Sequence, residues 1–162
     1  MTRNESSLSN ARLVAILLPV ALLGGAIGSQ YIGGLHPCEM CYWQRWPHLA
    51  AIFVALGAIV LRRNSLASAT FTALAALAIL TSGGIGVFHA GVEYKWWEGF
   101  TTCTAIRPSG GSLLEAIMKA PIIRCDQAQW TLAGISLAGF NAIFSIGGAL
   151  LIFLFLRRWA KA

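Results

Sequence analysis

Four apolar runs divide this chain, over about residues 13–31, 42–61, 66–88 and 131–156. Each is close to the roughly 20 residues that a helix needs to cross a bilayer. Hydrocarbon offers no hydrogen-bond partners, so the polar connections between such runs can lie only at the two bilayer faces. Charge is correspondingly scarce: 11% of the 162 residues are charged and 57% are hydrophobic, against about one-quarter charged in ordinary soluble domains. The mean hydropathy is +0.68. Together these features predict an all-α membrane protein, a four-transmembrane-helix bundle in which residues 1–162 form a single membrane-embedded domain.

The first run follows a polar segment with Arg3 and Arg12 and contains Pro19, whose slight kink neighbouring helices can accommodate. Small residues from Gly24 to Ser29 also suit a signal-peptide cleavage point, but the run exceeds a typical h-region, and Gly24-x-x-x-Gly28 suits close helix packing. In the second run Pro47 falls in the first helical turn, where a missing N–H costs little, and Arg62 and Arg63 stop the helix. The third reaches Gly83, Gly84 and Gly86, small enough for another helix or a flat ligand to approach the backbone, and His89 sits at its end. The fourth closes on Arg157, Arg158, Trp159 and Lys161.

The basic residues set the orientation. Arg3, Arg12, Arg62, Arg63, Arg157, Arg158 and Lys161 lie on one side with Glu5 as its only acid, so both termini are expected in the cytoplasm. The opposite side, loops of about residues 32–41 and 89–130, balances Arg45, Lys95, Arg107, Lys119 and Arg124 against Glu39, Glu93, Glu98, Glu115 and Asp126. Trp43, Trp46, Trp96, Trp97, Trp130 and Trp159 fall near the expected borders, as interfacial aromatics do. A net charge of +6 could suggest nucleic acid. Its basic residues stand at helix ends with no interleaved aromatic platform, and the membrane reading prevails.

All four cysteines, Cys38, Cys41, Cys103 and Cys125, fall in the two balanced loops. Thiols confined to one face imply an oxidising compartment such as a bacterial periplasm, and hence the inner membrane as the location. Three disulfide pairings are open, and spacing does not choose among them. Cys38-Glu-Met-Cys41 can close a small disulfide ring; Cys41, at or just before the first turn of a helix starting near Tyr42, would have its thiolate favoured by unpaired backbone N–H groups. Arg45, one turn on, adds a fixed positive charge. The plain alternatives are a stabilising disulfide or half a zinc site, and for Arg45 a snorkelling interface residue. In the long second loop, Ser112 to Glu115 forms a capping box ahead of an apolar stripe of Leu113, Leu114, Ile117 and Met118, which predicts a short amphipathic surface helix ending at Pro121.

With this pattern the chain resembles the disulfide bond formation protein B family. The residues that carry the resemblance are Pro37-Cys-Glu-Met-Cys-Tyr-Trp-Gln-Arg45 in the first outer loop, His89 beyond the third run, and Cys103 with Cys125 in the second loop. The resemblance implies a membrane oxidoreductase that reoxidises a soluble periplasmic DsbA-like thiol oxidase and passes the electrons to quinone, ubiquinone or menaquinone. Proteins of that family are themselves the known case in which a bacterial periplasm is kept oxidising kinetically, through quinone and not through a redox buffer. It further implies that Cys103 takes the mixed disulfide with the partner, Cys125 exchanges with Cys38, and Cys41 faces the quinone, with Arg45 and His89 as quinone contacts. Left to itself, His89 would be an ordinary border histidine. His36 and His48 flank the first outer loop and match no position of the family. No haem attachment motif, Rossmann glycine pattern or iron–sulfur cysteine run offers another electron sink.

Two other readings compete. A quinone reductase similar to vitamin K epoxide reductase also has a helical bundle with C-x-x-C, but there the motif lies near the final helices, whereas here it follows the first run. A non-enzymatic membrane protein could use its cysteines as structural disulfides or as a Cys₄ zinc site, although Cys103 and Cys125 lack knuckle spacing. The sequence thus implies no resident metal.

Overall fold

The computed structural model describes residues 3–99 and 123–161. Within them are four helices: α1 (Arg3–Tyr31), α2 (Glu39–Val60), α3 (Ser65–Glu93) and α4 (Leu137–Ala160). Three are long and apolar enough to cross a membrane, over Glu5–Tyr31, Ser65–Glu93 and Leu137–Ala160. The shorter α2 is not among them, because Glu39, Gln44, Arg45 and His48 make its N-terminal half polar. Cys103 and the amphipathic helix expected around Ser112 to Pro121 lie outside the described residues.

Helix limits differ from the sequence reading in ways that local chemistry explains. α1 begins at Arg3 and includes the polar segment ahead of Leu13. α2 begins at Glu39, not Tyr42, because the Cys38 thiol accepts the Cys41 backbone N–H and so caps the helix, with Glu39 favoured by the helix dipole in the first turn. α3 continues to Glu93, placing His89 inside the helix one turn before its end. Residues 131–136, expected to open the fourth span, instead form a hairpin of β1 (Thr131–Leu132) and β2 (Ile135–Ser136), with Leu132 opposite Ile135. Ala133 and Gly134, at φ 51° and 78°, supply the left-handed two-residue turn such a hairpin requires. Ser136 then caps α4 by accepting from the Gly139 N–H.

The bundle inverts the usual arrangement of a soluble protein. Its central contacts are made by small side chains, Ala11, Ala15, Ala51, Ala55, Ala75, Ala76 and Ala149, with Ile79 and Ile152. Large apolar residues, among them Leu13, Leu17, Phe53, Leu74, Phe144 and Leu154, face outwards. Small residues inside let helices approach where lipid removes the hydrophobic drive between them, and large ones outside meet hydrocarbon. Two of the three expected glycines take part: a Cβ at Gly83 would lie 2.9 Å from Ile146, and one at Gly86 3.0 Å from the Ala138 carbonyl. Among the described residues, a Cβ at Gly84 or at either member of the Gly24-x-x-x-Gly28 pair would meet nothing within 4 Å, so that pair makes no close helix packing with them.

Candidate functional site

The site lies at the end of the bundle opposite Arg62, Arg63 and Arg157, where α2 starts and α3 finishes. Cys38 precedes α2 and Cys41 occupies its first turn, which brings the two Sγ atoms to 3.2 Å; both are free thiols. Cys38 is 3% exposed. The hydrogen bond between the sulfurs divides the pair: it lowers the Cys41 pKa, with Arg45 a smaller influence in the same direction, and together with burial it raises that of Cys38.

Cys125 joins this pair. It is disulfide-bonded, and neither Cys38 nor Cys41 is its partner. With Cys38, Met40 and Val92 it forms one buried cluster, against which Cys41, Phe88 and Ile123 pack. The second loop is held here by several ties. Gln129 accepts from the His36 backbone N–H at 2.9 Å and donates back to the His36 carbonyl, joining the two loops directly. Asp126 pairs with Arg124 and Lys95, which keep its exposed carboxyl well below the ordinary carboxylate range. Trp97 donates to the Phe88 carbonyl and packs against Gly91, where any Cβ would collide with the indole.

Behind Cys38 runs a chain of buried polar side chains. His89 Nε2 lies 3.5 Å from Cys38 Sγ and 3.7 Å from Glu93 Oε1, and the ring also bonds the Cys125 backbone. Its Nδ1 lies 2.8 Å from Gln44 Nε2. Asn141 Nδ2 donates to Gln44 Oε1 at 2.8 Å, and Asn141 Oδ1 lies 2.8 Å from His48 Nε2 and accepts from Ser145 Oγ at 3.0 Å. Arg45 turns the other way: it donates to Gln30 Oε1 and the Ala26 carbonyl of α1 and lies over the Tyr42 ring.

A cavity of about 260 Å³ adjoins these groups. Cys38, Cys41, Gln44, Arg45, His48 and His89 form its polar wall, and Ala21, Leu22, Gly25, Ala26, Leu137 and Phe140 its apolar one. Of the residues singled out in the sequence, Cys38, Cys41, Arg45, His89 and Cys125 are thus brought together, and Cys103 lies outside the described residues. Gln44, Glu93 and Asn141 were given no role in the site, and His48 was set aside as matching no position of the family. Their signal was available: polar side chains inside apolar spans are expensive unless they face the bundle interior and one another.

Residues 9–155 match the family described as Disulfide bond formation protein DsbB. The chain belongs to this family. Among curated proteins of the DsbB family, one from Acinetobacter baumannii named Disulfide bond formation protein B is 31% identical over 138 residues, covering 78% of this chain and 79% of that protein. One of the same name from Marinobacter nauticus is 25% identical over 158 residues, 91% of each chain. A Rickettsia prowazekii protein of unassigned function is 30% identical over 148 residues, covering 88% of this chain and 83% of that protein. No solved structure matches. Family membership therefore makes this a disulfide bond formation protein.

Proposed function

We propose that this chain is a protein-disulfide oxidoreductase of the bacterial inner membrane that reoxidises a soluble periplasmic DsbA-like partner and reduces membrane quinone. The observation that carries the reading is the cluster of Cys38, Cys41 and Cys125 beside a cavity with one polar and one apolar wall. The net reaction balances: two partner thiols give up two electrons and two protons, quinone takes both to become quinol, and the partner gains a disulfide. In the chain the partner exchanges first with the Cys103–Cys125 disulfide, Cys103 forming the mixed disulfide. With Cys38 and Cys41 first closed into a disulfide by quinone, the Cys125 thiolate attacks Cys38 Sγ, the Cys38–Cys125 bond forms, the Cys38–Cys41 bond breaks, and Cys41 leaves as a thiolate. The partner's second thiol then attacks its own mixed-disulfide sulfur and releases Cys103, and Cys103 attacks Cys125, restoring the Cys103–Cys125 bond and leaving Cys38 and Cys41 as the reduced pair described above.

Two structural features suit these steps. Cys125 already packs against Cys38, so exchange needs little movement of the loop. Departure at Cys41 is favoured by its lowered pKa, since the better leaving thiol is the more acidic one. The cavity fits the head ring of a quinone, whose chemistry when bound is to accept two electrons and two protons. Cys41, Arg45 and His89 line it, Arg45 supplying charge, and its α1 lining is largely apolar, as an isoprenoid tail would require. The transmembrane arrangement we propose has Tyr42 to Leu61 as a further span, both termini cytoplasmic and both cysteine loops periplasmic, as the split of basic residues requires.

Purified protein supplied with reduced partner and quinone tests this. Cys103→Ser is expected to block exchange with the partner yet leave Cys38 and Cys41 oxidisable by quinone, and Cys41→Ser to abolish quinone reduction. Full turnover in both variants would show the cysteines to be structural.

A further inference from the structure

The polar chain behind Cys38 fixes a proton as well as a position. Asn141 Nδ2 lies 3.1 Å from the Ser82 carbonyl, which can only accept, so this end of the amide is its nitrogen. The same nitrogen donates to Gln44 Oε1 at 2.8 Å, and Gln44 Nε2 independently donates to the Met40 carbonyl at 3.2 Å. Two backbone carbonyls, one on α2 and one on α3, thus orient both amides. The Gln44 nitrogen therefore donates to His89 Nδ1, and a neutral imidazole that accepts at Nδ1 carries its proton on Nε2. That atom is the one 3.5 Å from Cys38 Sγ.

We infer that Gln44 and Asn141 are positioning residues that lock His89 in its Nε2–H tautomer, making its one N–H, which the Cys125 backbone shares, a hydrogen-bond donor to the Cys38 sulfur and not a base acting on it. The assignment concerns the reduced protein itself; only its consequence rests on the proposed function. A donor at sulfur favours the thiolate against the opposing effect of burial. Cys38 needs that form when the two thiols close on each other: the Cys38–Cys41 bond forms, two electrons pass to the quinone, and both thiol protons leave with them. A ring with Nε2 bare would instead retain the Cys38 proton. The same tautomer has no lone pair at Nε2 for a cation, so the trio of Cys38, Cys41 and His89, with donor atoms within 4.8 Å of one another, does not serve as a metal centre.

The groups facing His89 are Gln44 and Cys38 on the α2 side, Glu93 on its own helix and the Cys125 backbone on the second loop, while Arg45 acts on the neighbouring Cys41. Nitrogen NMR of the reduced, full-length, histidine-labelled protein in detergent reads the tautomer directly, with His36→Gln and His48→Gln used for assignment. The wild type is expected to show Nε2 protonated and Nδ1 bare. Gln44→Glu replaces the donor with a carboxylate and is expected to move the proton to Nδ1. In a Cys41→Ser background it should also shift the Cys38 thiolate titration, followed by ultraviolet absorbance, so that at neutral pH about tenfold less thiolate is present. Should that variant fail to fold, Gln44→Leu is expected to give a mixture of tautomers. A proton on Nδ1 in the wild type, or an unaltered ring in the folded Gln44 variants, would overturn the proposal. Failure of the wild type to reduce quinone while holding Nε2–H would instead sink the proposed function alone.

Discussion

Cys38 and Cys41 share one hydrogen bond, and its asymmetry decides which sulfur does what. In reduced protein Cys41 has its pKa lowered, so its thiolate is present from below the ordinary thiol value upwards and is lost as pH falls through that depressed value; Cys38 stays protonated past the ordinary value. Alkylation against pH, with mass-spectrometric assignment, should therefore show Cys41 becoming reactive at lower pH than Cys38; the same pH dependence for both would refute the division. Arg45 acts at a second level, since its guanidinium also ties α2 to Ala26 and Gln30 of α1. Arg45→Met is expected to raise the quinone KM and slow turnover by at least about tenfold, the effect of about 1.4 kcal/mol. Arg45→Lys should fall between, keeping charge without the planar fork. Steady-state quinone reduction measures both. The cysteines and Arg45 were legible in the sequence because their chemistry is tied to residue type and spacing. The partnership of Gln44, Ser82 and Asn141 was not, because these polar residues stand on three different helices and meet only when the bundle brings them together.

Among the elements, capping explains what the apolar runs alone could not. Hydropathy places a helix by its transfer energy and says nothing of its ends, which here follow from the Cys38 cap, the Ala133–Gly134 turn and the Ser136 cap. The consequence for the site is concrete, since the extra turn of α3 sets His89 and Glu93 into the bundle and the earlier start of α2 sets Cys41 against Cys38. Close packing of α3 on α4 at Gly83 and Gly86 keeps Asn141 within reach of Gln44. Gly83→Leu must displace Ile146 and Ser145 and is expected to cost about 1–3 kcal/mol of stability. Gly84→Leu, on the open face, should be near neutral. Thermal denaturation of the two variants in detergent distinguishes them, and equal melting temperatures would contradict this packing.

At the scale of the whole molecule the basic end and the cysteine end are separated by the bundle, and in the proposed reaction electrons travel from the loops to a cavity in its wall. Reporters fused after Arg63 or Lys161 are expected to read cytoplasmic and insertions near Ser109 periplasmic; a periplasmic Lys161 fusion would overturn the topology. The apolar runs made the four helices legible, whereas the meeting of the two loops through Gln129 and His36 depends on contacts across 93 residues that no local pattern encodes. The central claim is that the clustered thiols pass electrons from a soluble dithiol to quinone. Its most direct measurement is an anaerobic assay that counts quinol formed against partner thiols lost. The account predicts one quinol for every two thiols with wild-type protein and none with Cys41→Ser. Thiol loss without quinol, or quinol formation by Cys41→Ser, would contradict it.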